Sequence, residues 1–396
     1  MKIAICKEWL DPYSGFTKHI LEVSKRLAKD HGYRFTIITS KLLEKVPELP
    51  GLDIRVVGGH PYLFTHTQKK QIQSILEEVQ PDLLDYHGGP GTLLLTRNFD
   101  APKVFSMHAG KFLWKDYHHI GLKHLIQERR KLWGPGHLMN VTLSFKRMVK
   151  RLKKRGAVGL TVPTKAMQTT LAPQLSCPVF HLPSGVDVDA FLPKEVDPVE
   201  LGFEKDAKLI LFFGKAQLIR GIGTLLNAFP KVHQQFPDAR LILLLRADVS
   251  TDRIINQVEQ HPLKGYIHAE VETKADIASY LAAADVVALP FLTPLALPAQ
   301  PLTLVEALAI GKPSISTNLD VVHDLMEDQK HGLLVPPNRP EALADRILYM
   351  LNHPEEARQM GQRAREKIVK DYDWNRIAAS THEFYQQAAT LAGRSP

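Results

Sequence analysis

Short apolar, β-branched runs alternate with segments of helical period along most of this chain, and they do so in two separate series. Residues 2–6, 35–39, 54–57, 104–107, 160–162 and 179–182 read as strands of one sheet, and the run ending at His87 reads as a further one. Ile20, Val23 and Leu27 recur between them at helical spacing, as do Ile72, Ile75 and Leu76. The pattern restarts at 209–213 and continues through 241–245, 286–289, 314–317 and 333–335. A strand that is apolar along its whole length is buried on both faces, which requires helices on both sides of a parallel sheet. Between the two series lies HLPSGVDVDAFLPKEVDP, residues 181–198, rich in Pro, Gly and Asp and without a sustained period. The expectation is an α/β protein of two Rossmann-like doubly wound domains, 1–185 and 186–372, and 396 residues suffice for two cores of ordinary size.

Two cysteines, Cys6 and Cys177, are too few for a disulfide framework, which points to a reducing, cytoplasmic compartment and away from a thiol metal site. His118, His119, His124 and His137 lack metal-ligand spacing, and no Walker-type loop is present. The N-terminal apolar run is too short for a signal peptide, and the weakly charged stretch 286–310 is broken by Pro290, Pro294, Pro298 and Pro301, so no membrane span is expected. Residues 1–190 hold 28 Lys and Arg against 16 Asp and Glu, while the remainder holds 22 against 26. The excess of positive charge belongs to the first half and suits an anionic partner there. Residues 144–155 concentrate it: Phe145, Met148, Val149 and Leu152 share one helical face, and Lys146, Arg147, Lys150, Arg151, Lys153 and Lys154 cover the rest. Such a helix either turns its stripe to the core or lies on an anionic membrane surface. Nucleic acid fits less well, because no aromatic stacking run accompanies the charge.

Two segments of the second series carry the chemistry. LILFFGKAQLIRGIGTLLNAF, residues 209–229, is a strand, a glycine turn and a helix, with Lys215 and Arg220 in the turn between Gly214 and Gly221. Two cations beside the free N–H groups of a helix start suit a pyrophosphate, and the residues alone fit two solvated loop cations as well. PLTLVEALAIGKPSIST, residues 301–317, places Pro301 at the start of an apolar helix and Gly311, Lys312 and Pro313 at its stop. Glu306 is its only charge, and the N–H groups of Leu302 and Thr303 open at its start. In the first series, PYSGFTKH offers Ser14 as a helix cap and Gly15 for close backbone approach. His108 and His87 stand at strand ends, where open α/β folds place ligand residues.

These strings resemble the retaining glycosyltransferases of the GT-B fold, in family 4. There a Glu, seven residues and a second Glu precede Ala and a Gly-Lys-Pro turn; Glu306 matches the second acid, and Pro298 stands at the first. The family's Gly-Arg, four residues and Lys-Gly appears as Gly214-Lys215 and Arg220-Gly221, with the cations exchanged, and its Gly-x-x-Glu as residues 321–324, ending on Asp324. Tyr372, Asp373 and Trp374 match the stretch that turns the last helix, 373–396, back to the first domain. The resemblance implies two domains facing a central cleft, with a nucleotide-sugar donor on the second and an acceptor on the first. It implies transfer of a hexosyl group, with retention and with no bound metal or cofactor, from a nucleotide diphosphate donor, UDP-sugar favoured, to a hydroxyl of a lipid-linked or small soluble acceptor. His108, Lys215 and Arg220 would be catalytic; Gly15, Gly214, Leu302, Thr303 and Glu306 would join the two cations at the donor; Ser14, His87 and Lys111 are candidates for the acceptor side. Peripheral attachment to the inner face of the membrane through 144–155 would suit a lipid-linked acceptor. A nucleotide-sugar hydrolase or epimerase, a phosphorylase, and a non-catalytic partner that binds nucleotide without turnover stay open.

Overall fold

The computed structural model describes residues 1–11, 14–60, 64–89, 97–108, 144–272, 276–294, 297 and 300–393. The chain divides into two compact units; among the described residues the first takes those within 1–108, 144–185 and 374–393, and the second those within 186–373.

Among the described residues, the first unit has a seven-stranded parallel sheet made of β1 (Lys2–Leu10), β2 (Arg34–Leu42), β3 (Leu52–Val56), β4 (Leu83–Gly88), β5 (Lys103–Met107), β6 (Ala157–Val162) and β7 (Val179–His181). The spatial order is β3-β2-β1-β4-β5-β6-β7, so the winding reverses between β1 and β4. Ile3, Ala4, Ile5 and Cys6 on β1 are all buried, as a strand covered on both faces demands. Helix α1 (Gly15–His31) buries Ile20, Val23 and Leu27 on one face of the sheet, together with Trp374, Ile377, Phe384 and Tyr385 of the C-terminal helix Trp374–Leu391. Each such aliphatic side chain contributes about 1.5–3 kcal/mol. α1 ends where Gly32 takes φ 64° and its N–H bonds to Ala28 O.

On the opposite face lie Ile72 and Leu76 of α2 (Lys69–Val79) and Met148, Val149 and Leu152 of α3 (Phe145–Lys154). Of the two alternatives for the basic helix, the stripe meets the core, and Lys146, Arg147, Lys150, Lys153 and Lys154 are exposed. No helix among the described residues is long and apolar enough to cross a membrane.

The second unit repeats the winding. Its parallel sheet comprises β8 (Lys208–Lys215), β9 (Ala239–Arg246), β10 (Ile267–Val271), β11 (Val286–Leu289), β12 (Ser314–Thr317) and β13 (Leu333–Val335), in the order β10-β9-β8-β11-β12-β13. β10 is missing from the sequence expectation. It is an edge strand, half-exposed along Ala269–Val271, so Ile267, His268, Ala269, Glu270 and Val271 never form an apolar run. The winding reverses between β8 and β11, flanked by α4 (Ile222–Gln235) and α5 (Leu302–Ala309). α4 packs on α6 (Pro340–Asn352), and α5 packs on α7 (Pro354–Tyr372). Arg365 on α7 donates from Nη1 to Phe191 O (2.8 Å) and to Ala309 O, satisfying a carbonyl at the C-terminal end of α5.

Candidate functional site

In doubly wound sheets, ligands bind beyond the C-terminal strand ends where the winding reverses, and the candidate residues of each unit gather there. In the second unit β8 ends on Gly214 and Lys215, followed by a tight turn at Leu218–Arg220 and by Gly221, which opens α4. Gly214 has φ 133°, and a Cβ placed on it would lie 3.3 Å from Thr303 Cγ2 and 3.4 Å from Arg220 Nη1. The strand end, the guanidinium and the start of α5 thus converge on one point, where a Cβ on the strand would touch both neighbours.

Lys215 Nζ lies 3.8 Å from Asp248 Oδ2, an oxygen that also accepts a hydrogen bond of 2.6 Å from Gln217 Nε2. The sequence reading missed Asp248. The signal available was its position just past β9, the neighbour of β8, but pairing across strands is not visible along the chain. Arg220 lies over the Phe291 ring, 5.8 Å from its centroid, with Nε inaccessible to solvent and lacking a hydrogen-bond partner. Burial pulls its pKa down to about 10, against the opposing pull of Asp248, so the guanidinium stays charged at neutral pH.

Pro301 precedes α5 as its cap residue, one position earlier than a first-turn proline. The N–H groups of Leu302 and Thr303 have no partner within the helix, and Thr303 Oγ1 is buried without a hydrogen-bond partner. Glu306 is half-buried on this otherwise apolar helix. Gly311, at φ 79°, turns the chain out, with N–H bonds from Gly311 to Leu308 O and from Lys312 to Ala307 O. Pro298 lies outside the described residues. Two shallow cavities of about 350 and 370 Å³ open elsewhere on this unit, around Asn318 and His323 and around Asn227 and Arg253; neither is lined by Lys215, Arg220, Thr303 or Glu306.

In the first unit, Ser14 caps α1: its Oγ accepts from Thr17 N (3.2 Å), and Gly15 is the first helical residue. His108 follows β5 and its N–H bonds to Gly88 O (2.9 Å), which fixes the ring beside β4. His87 is buried, with Nδ1 2.7 Å from His108 Nε2 and Nε2 3.0 Å from Asp85 Oδ2. Both its ring nitrogens are engaged within the protein. His87 thus links Asp85 to His108. Burial, with His87, His19 and Lys7 beside it disfavouring a further positive charge, pushes the His108 pKa well down and keeps the ring neutral. Lys111 lies outside the described residues, as do His118, His119, His124 and His137. Among the described residues no group of three or more His, Cys, Asp or Glu is placed to hold a metal ion.

His19 was not anticipated either. It sits on α1, buried edge-on between His108 and Trp374 at centroid distances of 5.2 and 5.8 Å, with Nδ1 lacking a partner. Burial first, then the neighbouring His87, lowers its pKa from 6.5 to about 3, with Asp85 opposing. A depressed folded-state pKa means that the unfolded chain binds the proton first. His19 therefore withdraws stability as pH falls from about 6.5 towards 3. Replacing His19 with Phe is expected to flatten the loss of stability over that window, measured by urea midpoints at pH 7, 5.5 and 4; an unchanged slope would show that His19 is not the group titrating.

Comparison with known proteins follows the same lines. Residues 193–367 match the family Glycosyl transferases group 1. Phosphatidyl-myo-inositol mannosyltransferase of Mycobacterium tuberculosis is 30 % identical over 215 residues, 53 % of this chain and 54 % of that one. D-inositol 3-phosphate glycosyltransferase of Paenarthrobacter aurescens is 27 % identical over 216 residues, 52 % and 51 % of the two chains. The chain thus spans about half the length of the curated relatives it matches. Among solved structures, sucrose-phosphate synthase of Thermosynechococcus elongatus superimposes with a TM-score of 0.75 at 18 % identity, over 99 % of both chains. Anabaena HepE in complex with UDP and glucose gives 0.70 at 16 % identity, over 98 % of this chain and 99 % of that one. Likeness at such identities shows the fold, which is that of the GT-B glycosyltransferases.

Proposed function

We propose that this chain, of which residues 193–367 match the family Glycosyl transferases group 1, moves a hexosyl group from a nucleotide diphosphate donor to an acceptor hydroxyl. The observation that carries the reading is the convergence of Gly214, Arg220 and Thr303 where the second sheet reverses its winding. A guanidinium with an unpartnered Nε, a lysine, and the open N–H groups of α5 offer fixed positive potential to a diphosphate. Charge grows on that diphosphate as the glycosidic bond breaks, so Lys215 and Arg220 act where preorganised cations lower a barrier most. Glu306 accepts hydrogen bonds from the ribose hydroxyls, Gly214 gives the donor room, and His108, neutral and facing His19 and Phe16, lines the transfer centre together with Gly15.

The donor is a UDP-sugar in this reading, supported by the complexes of HepE with UDP and with UDP-glucose. Transfer proceeds with retention and without a bound metal. The acceptor is a lipid-linked or small soluble hydroxyl compound, which the relatives named for phosphatidyl-myo-inositol and D-inositol 3-phosphate support. The exposed cationic face of α3 would draw the protein to an anionic membrane by charge, without insertion.

Thermal denaturation with UDP, GDP, ADP and their sugars tests the donor. A nucleotide at one hundred times its Kd adds about 2.7 kcal/mol to stability. UDP is expected to give the largest rise in Tm, reduced in Lys215→Ala, and transfer with retained anomeric configuration is expected to persist in EDTA. Nucleotide binding without transfer to any acceptor would replace the enzyme reading by that of a non-catalytic partner, which Pro298 at the first acid position favours. No rise with any nucleotide would overturn the donor site itself.

A further inference from the structure

His108 is the last of three side chains joined in series, and the first of them is a buried carboxylate. Asp85 on β4 is 0 % exposed. Its Oδ2 accepts three hydrogen bonds: from Tyr385 Oη (2.7 Å) on the C-terminal helix, from Ser106 Oγ (3.0 Å) on β5, and from His87 Nε2 (3.0 Å) on β4. Burial alone would raise its pKa, but the interactions with His87, Tyr385 and Ser106 outweigh it and hold the carboxyl below its usual range. Asp85 is thus ionised at neutral pH and can only accept.

The rest follows by elimination of donors. The His87 nitrogen facing Asp85, Nε2, carries the hydrogen, and in the singly protonated ring this leaves Nδ1 as an acceptor. Nδ1 is 2.7 Å from Nε2 of His108, which must then be the donor. The remaining lone pair of His108 lies on Nδ1. The ring plane is held as well as the proton: Phe16 stacks on His108 at 5.2 Å and 29°, and His19 meets it edge-on at 5.2 Å.

We propose that Asp85 is a positioning residue for the transfer centre. Acting through His87, it fixes His108 in the tautomer protonated at Nε2 and reserves Nδ1 of His108 as the acceptor for a hydroxyl of the donor sugar or of the acceptor. Ser106 and Tyr385 support it by keeping Oδ2 turned to His87. The functional half of this assignment rests on His108 lining the transfer centre; the tautomer does not.

The test combines a spectroscopic and a kinetic readout on the full chain. With ¹⁵N-labelled histidine, long-range ¹H–¹⁵N correlations distinguish the protonated from the unprotonated ring nitrogen, and His87→Gln and His108→Gln spectra assign the signals. The expected wild-type result at pH 7 is a protonated Nε2 and an unprotonated Nδ1 in both rings. In Asp85→Asn the neutral amide no longer demands that pattern, so the His108 signals average between tautomers. By analogy with other carboxylate-oriented histidines, kcat falls by roughly 10²-fold or more, with the Kd for nucleotide unchanged. A wild-type His108 protonated at Nδ1, or an Asp85→Asn protein with unaltered tautomer and kcat, overturns the proposal. Should Asp85→Asn fail to fold, the wild-type spectrum still decides the tautomer, and the milder Ser106→Ala, expected to lower kcat without moving the nucleotide Kd, decides the kinetic half. A fixed tautomer in a chain that turns over no nucleotide-sugar would sink the transfer reading while upholding the Asp85–His87–His108 order.

Discussion

Arg220→Ala is expected to lower kcat/KM for sugar transfer by roughly 10²–10³-fold, the loss associated with removing one preorganised donor from a site of developing negative charge. The geometry behind this is specific. Arg220 is held over Phe291 with Nη1 at the point where Gly214 leaves room, it keeps its charge despite burial, and its Nε has no partner in the protein. A desolvated cation with an unused donor gains most when an anion arrives. Lys is not an adequate replacement, because a point charge on a flexible stem lacks the planar fork. Arg220→Lys should therefore recover only part of the rate. The measurement is steady-state kinetics with the donor chosen by thermal shift, and an Arg220→Ala protein within twofold of wild type would remove Arg220 from the mechanism.

The largest structural effect is expected at the next residue. Gly221 has φ 83°, and a Cβ there would lie 1.8 Å from Pro290 O and 2.7 Å from Pro290 C. The obstacle is backbone, which cannot rotate aside, so Gly221→Ala must separate the Lys215–Arg220 turn from the segment that follows β11. Left-handed strain and overpacking together cost about 2–5 kcal/mol. For a unit of this size that lowers Tm by roughly 5–15 °C. Gly223, two residues on within α4, is the control: a Cβ there meets nothing within 4 Å. Gly223→Ala should instead gain about 0.5–1 kcal/mol from helix propensity. Calorimetry on the two variants reads the difference, and equal Tm values would show that the turn does not pack on Pro290 as described.

The readable part of this protein was local. Continuous apolar runs such as Leu209–Phe213 announced buried parallel strands, and Gly214-Lys215 with Arg220-Gly221 announced the turn that joins β8 to α4, because strand burial and turn chemistry are written in neighbouring residues. Edge strand β10 escaped because an edge carries no such run. The basic helix α3 was legible as amphipathic but not in its destination; the hydrophobic period is the same whether the stripe meets lipid or a sheet, and only packing sends Met148 and Leu152 to the core.

His108 could be picked out as a strand-end residue, yet the carboxylate behind it could not. Asp85 is joined to Tyr385 across 300 residues of sequence and to Ser106 across 21. Those contacts exist because β4 lies beside β5 in register, with His87 opposite Ser106, and because the C-terminal helix closes on the same sheet. Sequence alone determined that this chain would wind twice through parallel sheets, and it set two cations in the glycine turn of the second, since both follow from short-range spacing and local chemistry. Which histidine is tied to which acid, and on which nitrogen each proton rests, was decided only in the tertiary structure, because strand order and register fix those distances and no local pattern records them.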